Sequence, residues 1–277
     1  MSNKAFVCIV SYNNLGLTRR AVDALRRQTL DTTIAVWDNN SKDGTVDWLR
    51  QQDDLKCELS DQNVYWTPAV NGAIEKFWDG EPYIGYMNND AQPLVSTVER
   101  LVDLLQRPEV GLVAPSMAKI GGPQDIAACE GHDIVANGGF VDSNLQGLSP
   151  KRVNFVMGAF AMLRKEVWDE VGPLDEEMPL GADDHDYSIR LKDRGYQIWV
   201  AQNAFCEHAG HASARVSPEA DRAWDDVGAK SWDRFNKKWA GYYATEDEAI
   251  KAHWGGDFVE GFERGTGWPT APPAQAL

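Results

Sequence analysis

Short apolar runs alternate with polar, helix-like stretches through the first half of the chain, and this alternation limits the fold more than any other feature. Residues Ala5 to Val10 read as a buried strand, Leu17 to Gln28 as a helix with one apolar face, and Thr33 to Trp37 as the next strand. Such alternation is typical of β-α-β units around a largely parallel sheet. The sequence therefore predicts an α/β fold with a mixed, mostly parallel sheet flanked by helices.

The same pattern continues along the chain and predicts the remaining elements. Further helices are expected at Thr45 to Leu49, Pro68 to Trp78, Val95 to Leu105, Lys165 to Val171 and Asp183 to Arg194. Further strands are expected at Tyr83 to Met87, Val110 to Ala114 and Gln197 to Ala201, with an apolar stretch from Val153 to Leu163. Residues 117–150 have no strong period and are predicted to be irregular. We divide the chain into a domain over 1–214, with halves 1–115 and 116–214, and a tryptophan-rich helical extension over 215–277 that ends in a loose tail.

Charge and hydropathy exclude several classes of protein. The 277 residues carry a formal net charge of -15, which disfavours a surface for gripping the phosphates of duplex nucleic acid. An acidic chain can still bind an anionic nucleotide if it recruits a divalent cation locally. No apolar run reaches the roughly 18 residues of a membrane helix, and the start shows no signal-peptide pattern, so a cytoplasmic location is expected.

Polar residues are concentrated where three predicted strands end. These clusters are Ser11-Tyr12-Asn13-Asn14, the loop from Asp38 to Gly44, and Asn88-Asn89-Asp90. In open α/β sheets, ligands bind beyond the carboxyl ends of the strands, so the clusters are expected to be neighbours in one site. The alternative is structural, because Asp and Asn after a strand also begin turns.

The order of these motifs resembles family 2 glycosyltransferases, especially the rhamnosyltransferase-like branch. The first half contributes Val10-Ser11-Tyr12-Asn13, Gln28, Val36 to Thr45, Asn63, Asn71-Gly72 and Tyr86 to Ala91. The second half contributes Phe155 to Ala159, Val171 to Glu176, Asp183-Asp184-x-Asp186 with Arg190, and His208. The resemblance covers roughly residues 5–213, and several motifs in the correct order are more specific than any one alone. It implies a GT-A (Rossmann-like) catalytic domain over 1–214, with a nucleotide-binding half and an acceptor half.

The resemblance also implies a binding role for particular residues. The nucleotide sugar would be bound by Ser11, Tyr12, Asn13, Asp38, Asn40, Asn63, Asn71, Asn88 and Asn89. Asp90 and His208 would bind Mn²⁺ or Mg²⁺, with His211 near enough to replace His208. This chain departs from the family pattern at Asn88, where the first acidic residue of an Asp-x-Asp signature is expected, so the site has one negative charge fewer.

The acidic cluster at Asp183, Asp184 and Asp186 is where the resemblance places catalysis. Asp184 is expected to be the general base that removes a proton from the acceptor hydroxyl, with inversion at the anomeric carbon. Asp183 and Asp186 are expected to orient the acceptor or the start of the helix. A structural alternative exists, because carboxylates in the first turn also interact favourably with the helix dipole.

The expected reaction is inverting, metal-assisted transfer of a sugar from a UDP-, GDP- or dTDP-linked donor. The acceptor is left open between a glycan, a glycolipid, a protein and a modified base. Two alternatives are a sugar nucleotidyltransferase and a non-catalytic module that binds nucleotide sugars or glycans. The first would carry a Gly-rich basic loop after the first strand, whereas this chain has Ser11 to Gly16 there. The second is suggested by Asn88.

Overall fold

The computed structural model describes residues 4–117, 120, 124–125, 145, 147–210 and 222–240. Its strands are β1 Ala5–Ser11, β2 Thr32–Asp38, β3 Lys56–Leu59, β4 Tyr83–Asn88, β5 Ala91–Pro93, β6 Val110–Met117, β7 Lys151–Val153, β8 Phe160–Arg164 and β9 Gln197–His208. Its helices are α1 Leu15–Arg26, α2 Thr45–Leu49, α3 Trp66–Phe77, α4 Thr97–Leu105, α5 Lys165–Val171, α6 Asp183–Asp193 and α7 Ala229–Lys238. One π-helical turn, Trp224–Gly228, leads into α7.

All the strands belong to one mixed sheet. The order is β3-β2-β1-β4-β8-β6-β9-β5, and β7 pairs with β9 outside this path. The pairs β2–β3, β1–β2, β1–β4 and β6–β9 are parallel, whereas β5, β7 and β8 pair antiparallel with their neighbours. The predicted α/β fold with a mixed, mostly parallel sheet is confirmed.

Two apolar layers cover the two faces of this sheet. Successive residues of β1 point to opposite faces, so Val7 belongs to one layer and Phe6 and Cys8 to the other. Buried residues of α1 and α4 complete the first layer, and those of α3, α5 and α6 complete the second. Since β1 is buried on both faces, its sequence is a continuous apolar run.

The helix α7, the last of the described helices, packs against α6 and the loop before it. Trp232 and Phe235 form a small apolar cluster with Met178, Ala182 and Ile189. This confirms the predicted helical region after β9. The predicted loose tail lies in 241–277, outside the described residues, as does most of the predicted irregular section 117–150. In the part of the chain that is described, none of the helices has both the length and the apolar composition needed to cross a bilayer.

The strand β9 is longer than the sequence predicted, and this difference bears on the site. The strand was predicted to end at Ala201, with His208 beyond it, but β9 continues to His208. Polar Gln202 and Asn203 interrupt the apolar run that defined the predicted strand. Pairing with β6 and β5 extends the strand regardless, because backbone hydrogen bonds do not require apolar side chains. The prediction that His208 follows the strand was therefore wrong.

Candidate active site

The carboxyl ends of β1, β2 and β4 lie side by side. Ser11, the last residue of β1, is in register with Asp38, the last residue of β2. Val10 is in register with Asn88 at the end of β4. Three polar loops therefore begin at neighbouring points on one edge of the sheet, which is the edge where open α/β sheets bind ligands.

Asp38 organises the loop that follows β2. The side chain is fully buried, and its two oxygens accept hydrogen bonds from the Ser41 backbone N–H at 2.8 Å and the Ser41 hydroxyl at 2.5 Å. Burial raises the pKa of Asp38, and the hydrogen bonds from Ser41 oppose that rise. Asp38 therefore stabilises a turn, which is the structural role that the sequence left open. Contact between Asp38 and a nucleotide stays a prediction.

Asn13 connects the three polar loops. Its backbone N–H donates to the Ser41 hydroxyl at 2.7 Å, and its side-chain oxygen accepts from the Lys42 N–H at 2.8 Å. Its carbonyl oxygen accepts from the Asn89 amide at 3.1 Å. Tyr12, beside it, is partly buried. These contacts make the loops after β1, β2 and β4 one hydrogen-bonded unit, so the nucleotide-binding residues predicted in them form a single surface.

The loop before α3 holds a strained residue. Tyr65 has φ 66° and ψ -152°, a region that non-glycine residues rarely adopt and that costs about 1–3 kcal/mol. The amide oxygen of Asn63 accepts from the Tyr65 N–H at 2.8 Å, and the Asn39 amide donates to the Tyr65 carbonyl at 2.9 Å. Asn39 was not among the predicted site residues, whereas Asn63 was. Both hold the chain at the start of α3.

Asn40 and Asn71, also predicted to bind the nucleotide, have contacts within the protein. Asn40 adopts a left-handed backbone with φ 66° and accepts from the Lys42 ammonium group. The Asn71 amide donates to the Leu174 carbonyl at 2.9 Å and to Glu176 at 2.9 Å, and accepts from the Leu174 N–H at 3.1 Å. Asn71 therefore connects α3 to the loop that leads to α6. Nucleotide binding by either residue stays a prediction.

Asp90 and His208 meet although they are far apart in sequence. The short strand β5 pairs antiparallel with β9, with Ala91 opposite His208. As a result, Nε2 of His208 lies 3.2 Å from Oδ1 of Asp90, and both side chains are mostly buried. The side-chain nitrogen of Asn88 lies 3.5 Å from the same Nε2. The structure thus brings the two predicted metal ligands and the divergent Asn88 into one cluster.

The chemistry of this cluster fits a divalent cation. A carboxylate oxygen and an imidazole nitrogen, with an amide beside them, are donors that Mn²⁺ accepts, whereas Mg²⁺ strongly prefers oxygen. Within the described residues, no group of three or more His, Cys, Asp or Glu side chains is placed to hold a metal. A cation bound by Asp90 and His208 would therefore need ligands beyond the two side chains. His211, the alternative ligand, lies outside the described residues.

Asp183 and Asp184 open α6 in a buried environment. Asp184 accepts hydrogen bonds from the backbone N–H groups of His185, at 2.9 Å, and Gly158. Burial raises the pKa of Asp184 to about 6, because water no longer stabilises the charged form. Burial and the adjacent charge of Asp184 raise the pKa of Asp183 as well. A carboxylate with a raised pKa is a better proton acceptor, which suits the predicted base.

A single backbone segment connects the carboxylate pair to the cluster of Asp90, His208 and Asn88. The Gly158 N–H donates to Asp184, and the next residue, Ala159, accepts from the Asn88 N–H at 2.9 Å. The predicted base and Asn88 are therefore bound to two consecutive residues. This arrangement places the carboxylate pair and the cluster in one region of the molecule instead of on separate surfaces.

Trp66 is a further member of the site that the sequence did not single out. Its indole N–H donates to Asp183, and its ring packs edge to face against Tyr86, with centroids 6.0 Å apart. The ring is partly buried. Local sequence contained no signal for this contact, because Trp66 and Asp183 are separated by more than a hundred residues and meet only through the packing of α3 against the loop before α6.

Comparisons with known proteins agree with this architecture. Residues 6–172 match the sequence profile of glycosyl transferase family 2. A curated relative, the O-antigen biosynthesis protein RfbC of Myxococcus xanthus, is 27% identical over 225 residues, which are 74% of this chain and 17% of that protein. This chain therefore spans about a sixth of the length of that relative.

Two solved structures share the fold. The mannosyltransferase PcManGT from Pyrobaculum calidifontis, in complex with GDP-Man and Mn²⁺, has a TM-score of 0.57 at 18% identity, covering 84% of this chain and 64% of its own. GalNAc-T7 with UDP, GalNAc and Mn²⁺ has a TM-score of 0.60 at 13% identity, covering 91% of this chain and 58% of its own. The predicted GT-A fold is confirmed.

Proposed function

This chain belongs to glycosyl transferase family 2, and from that membership we propose that it transfers a sugar from a nucleotide diphosphate donor to an acceptor hydroxyl, with metal assistance and inversion. The observation that carries the proposal is the cluster at the end of β4. Asp90 and His208 lie 3.2 Å apart there, and the adjacent Asn88 is connected through Ala159 and Gly158 to Asp184. Family membership supports the class of reaction, and this geometry supports the roles of the residues.

Asp90 and His208 are the residues proposed to hold the cation, with Mn²⁺ preferred over Mg²⁺ because of the imidazole. When bound, such a cation neutralises the negative charge that develops on a diphosphate leaving group. The protein itself carries a net charge of -15, so a local positive charge is needed before an anionic donor can approach. The solved relatives contain Mn²⁺, which is consistent with this preference.

The donor is proposed to lie along the loops after β1, β2 and β4. Asn13 and Asn89 hold these loops together, and the loop after β2 is organised by Asp38. Because these groups are fixed by hydrogen bonds before any ligand binds, little ordering entropy is lost when a nucleotide is bound. The solved relatives hold GDP-Man in one case and UDP in the other, and a UDP-, GDP- or dTDP-sugar is proposed here.

Asp184 is proposed to remove the proton from the acceptor hydroxyl as its oxygen attacks the anomeric carbon. Attack from the face opposite the diphosphate inverts the configuration at that carbon. Backbone N–H groups of Gly158 and His185 orient the Asp184 carboxylate, and its raised pKa increases its affinity for the proton. Asp183, held by Trp66, is proposed to orient the acceptor.

A growing glycan is the proposed acceptor. The curated relative is an O-antigen biosynthesis protein, and its name supports a sugar hydroxyl over a protein side chain or a base. Since this chain spans 17% of that relative, the proposal concerns only the transfer step.

The proposal is tested by titrating the protein with UDP-, GDP- and dTDP-sugars, with and without Mn²⁺, and by measuring binding and slow donor hydrolysis. We expect one nucleotide class to bind only with Mn²⁺ and Asp90→Asn to lose that binding. Asp47→Asn, on exposed α2, is the matched control and should bind like the unmodified protein. Absence of binding to every nucleotide would refute the proposal. Release of pyrophosphate from a nucleoside triphosphate and a sugar phosphate would instead identify a nucleotidyltransferase.

A further inference from the structure

Asp186 lies two residues after the proposed base and is fully buried. One of its carboxylate oxygens lies 2.8 Å from the Lys238 ammonium nitrogen and accepts a hydrogen bond from the Trp239 indole N–H at 2.9 Å. The other accepts from Arg190 at 2.8 Å. Lys238 is the last residue of α7, and Trp239 follows it. The first turn of α6 is therefore attached directly to the C-terminal helix.

The same helix also holds the loop that precedes α6. Lys238 lies 2.7 Å from Asp175, and the Ser231 hydroxyl accepts from the Leu180 N–H at 3.3 Å. Trp232 packs on the ring of His185 with centroids 5.1 Å apart. Contacts from α7 and the residue after it thus reach the chain on both sides of the Asp183–Asp184 pair.

The first turn of α6 has little support of its own. The residue before the helix, Ala182, has a left-handed backbone with φ 66°, and among the described residues no side chain caps the helix. The turn also brings Asp183, Asp184 and Asp186 close together, and their like charges repel one another. The Trp66 indole and the Gly158 N–H hold Asp183 and Asp184, and the contacts of α7 with Asp186 add a third point of attachment for this turn.

We propose that α7 is a positioning element of the catalytic centre, in which Lys238 and Trp239 act through Asp186 to hold the first turn of α6 and to offset its negative charge. The inference rests on the proposed function, because Asp184 is taken to be the base. Lys238 and Trp239 are positioning residues, since they contact Asp186 and not the reacting atoms. Both lie outside residues 6–172, which match the family profile, and beyond the motifs that carry the resemblance.

The charge of Lys238 has a consequence for the proton affinity of the pair. Burial and Asp184 raise the pKa of Asp183, and the charge of Asp186 adds to them. His185 and Asp186 on α6 and Tyr86 on β4 lie beside the pair. Arg190 and Lys238 pair with Asp186, and Lys238 also pairs with Asp175 in the preceding loop. Removing Lys238 leaves Asp186 and Asp175 less neutralised, so the pair should ionise at higher pH.

The experiment compares Lys238→Met, Lys238→Arg and Trp239→Phe with the unmodified protein. Lys238→Met is expected to lower kcat about 10-fold or more, because small displacements of a catalytic group are costly, with donor KM unchanged. Its acid limb in the pH profile of kcat should move up by about one pH unit. Lys238→Arg, which keeps the positive charge, should have kcat and an acid limb close to those of the unmodified protein. Lys237→Met, which removes a neighbouring exposed lysine paired with Asp233, is the matched control and should behave like the unmodified protein.

A second measurement keeps the inference independent of activity. Amide hydrogen exchange over residues 183–187 should become faster in Lys238→Met and in the milder Trp239→Phe variant, and stay unchanged in Lys237→Met. If the unmodified protein transferred no sugar and bound no nucleotide, the proposed function would be overturned. The exchange rates alone would then decide whether α7 holds the first turn of α6. Unchanged exchange in folded Lys238→Met and Trp239→Phe, or unchanged kcat and pH profile in an active protein, would overturn the positioning role.

Discussion

Replacing the proposed base should change activity and stability in opposite directions. Asp184→Asn removes the proton acceptor while keeping a similar shape and one oxygen to accept the hydrogen bonds from His185 and Gly158. Loss of a general base typically lowers a rate by about 10²–10⁴-fold, so transfer should fall by that amount. Mn²⁺-dependent donor binding should stay close to normal, because Asp90 and His208 are untouched.

The stability effect follows from the burial of the Asp184 carboxylate. Its pKa rises from 3.8 in an exposed aspartate to about 6, and each unit corresponds to about 1.4 kcal/mol. Below pH 3.8 the group is neutral in both the folded and unfolded states, so the substitution has little effect. Between pH 3.8 and about 6 the unfolded aspartate ionises while the folded one stays protonated, so the unmodified protein loses stability as the pH rises, and above about 6 it carries the full cost of the buried charge. At neutral pH, Asp184→Asn should therefore be more stable by about 1–3 kcal/mol.

The assay is urea unfolding of both proteins near pH 4 and near pH 7.5, together with transfer or donor hydrolysis at the higher pH. Asp193→Asn, an exposed position at the end of α6, is the matched control, with a change in stability within about 0.5 kcal/mol. The reasoning would be refuted if Asp184→Asn retained activity, or if it were less stable than the unmodified protein at pH 7.5. An equal gain at both pH values would show that burial of the charge is not the cause.

Three further substitutions test the cluster and the packing. His208→Ala should abolish the effect of Mn²⁺ on donor binding, measured by calorimetry, and retained metal dependence would remove it from the ligand set. Asn88→Asp should increase Mn²⁺ affinity, because it adds a carboxylate to the cluster; a weaker affinity would contradict this role. Gly72→Ala should cost about 1–3 kcal/mol of unfolding free energy, since the new Cβ would lie 2.6 Å from the Trp37 ring. Gly16→Ala, with nothing within 4 Å, is its control in the same denaturation series and should not destabilise.

The polar loops after β1, β2 and β4 could be predicted from the sequence, because their positions depend on neighbouring residues. A continuous apolar run identified β1, and polar residues at its end identified the edge where Ser11 and Asp38 meet in register. The bounds of α2 and α5 were also predicted correctly, since charge and periodicity change sharply at Thr45 and Lys165. The predicted GT-A fold is confirmed by its similarity to the two solved structures.

The proposed metal-ligand cluster and the support of the proposed base depend on contacts between distant residues, which only the tertiary structure shows. His208 reaches Asp90 because the three-residue strand β5 pairs with β9, and so short a strand has no periodicity to detect. Asp186 meets Lys238 only after α7 packs on α6. The sequence by itself determined the α/β class, the order of the main strands and helices along the chain, and the acidic and amide residues available for chemistry, since these depend on local pattern. The tertiary structure decided which of them meet, because packing of the sheet and helices sets distances between residues far apart in the chain.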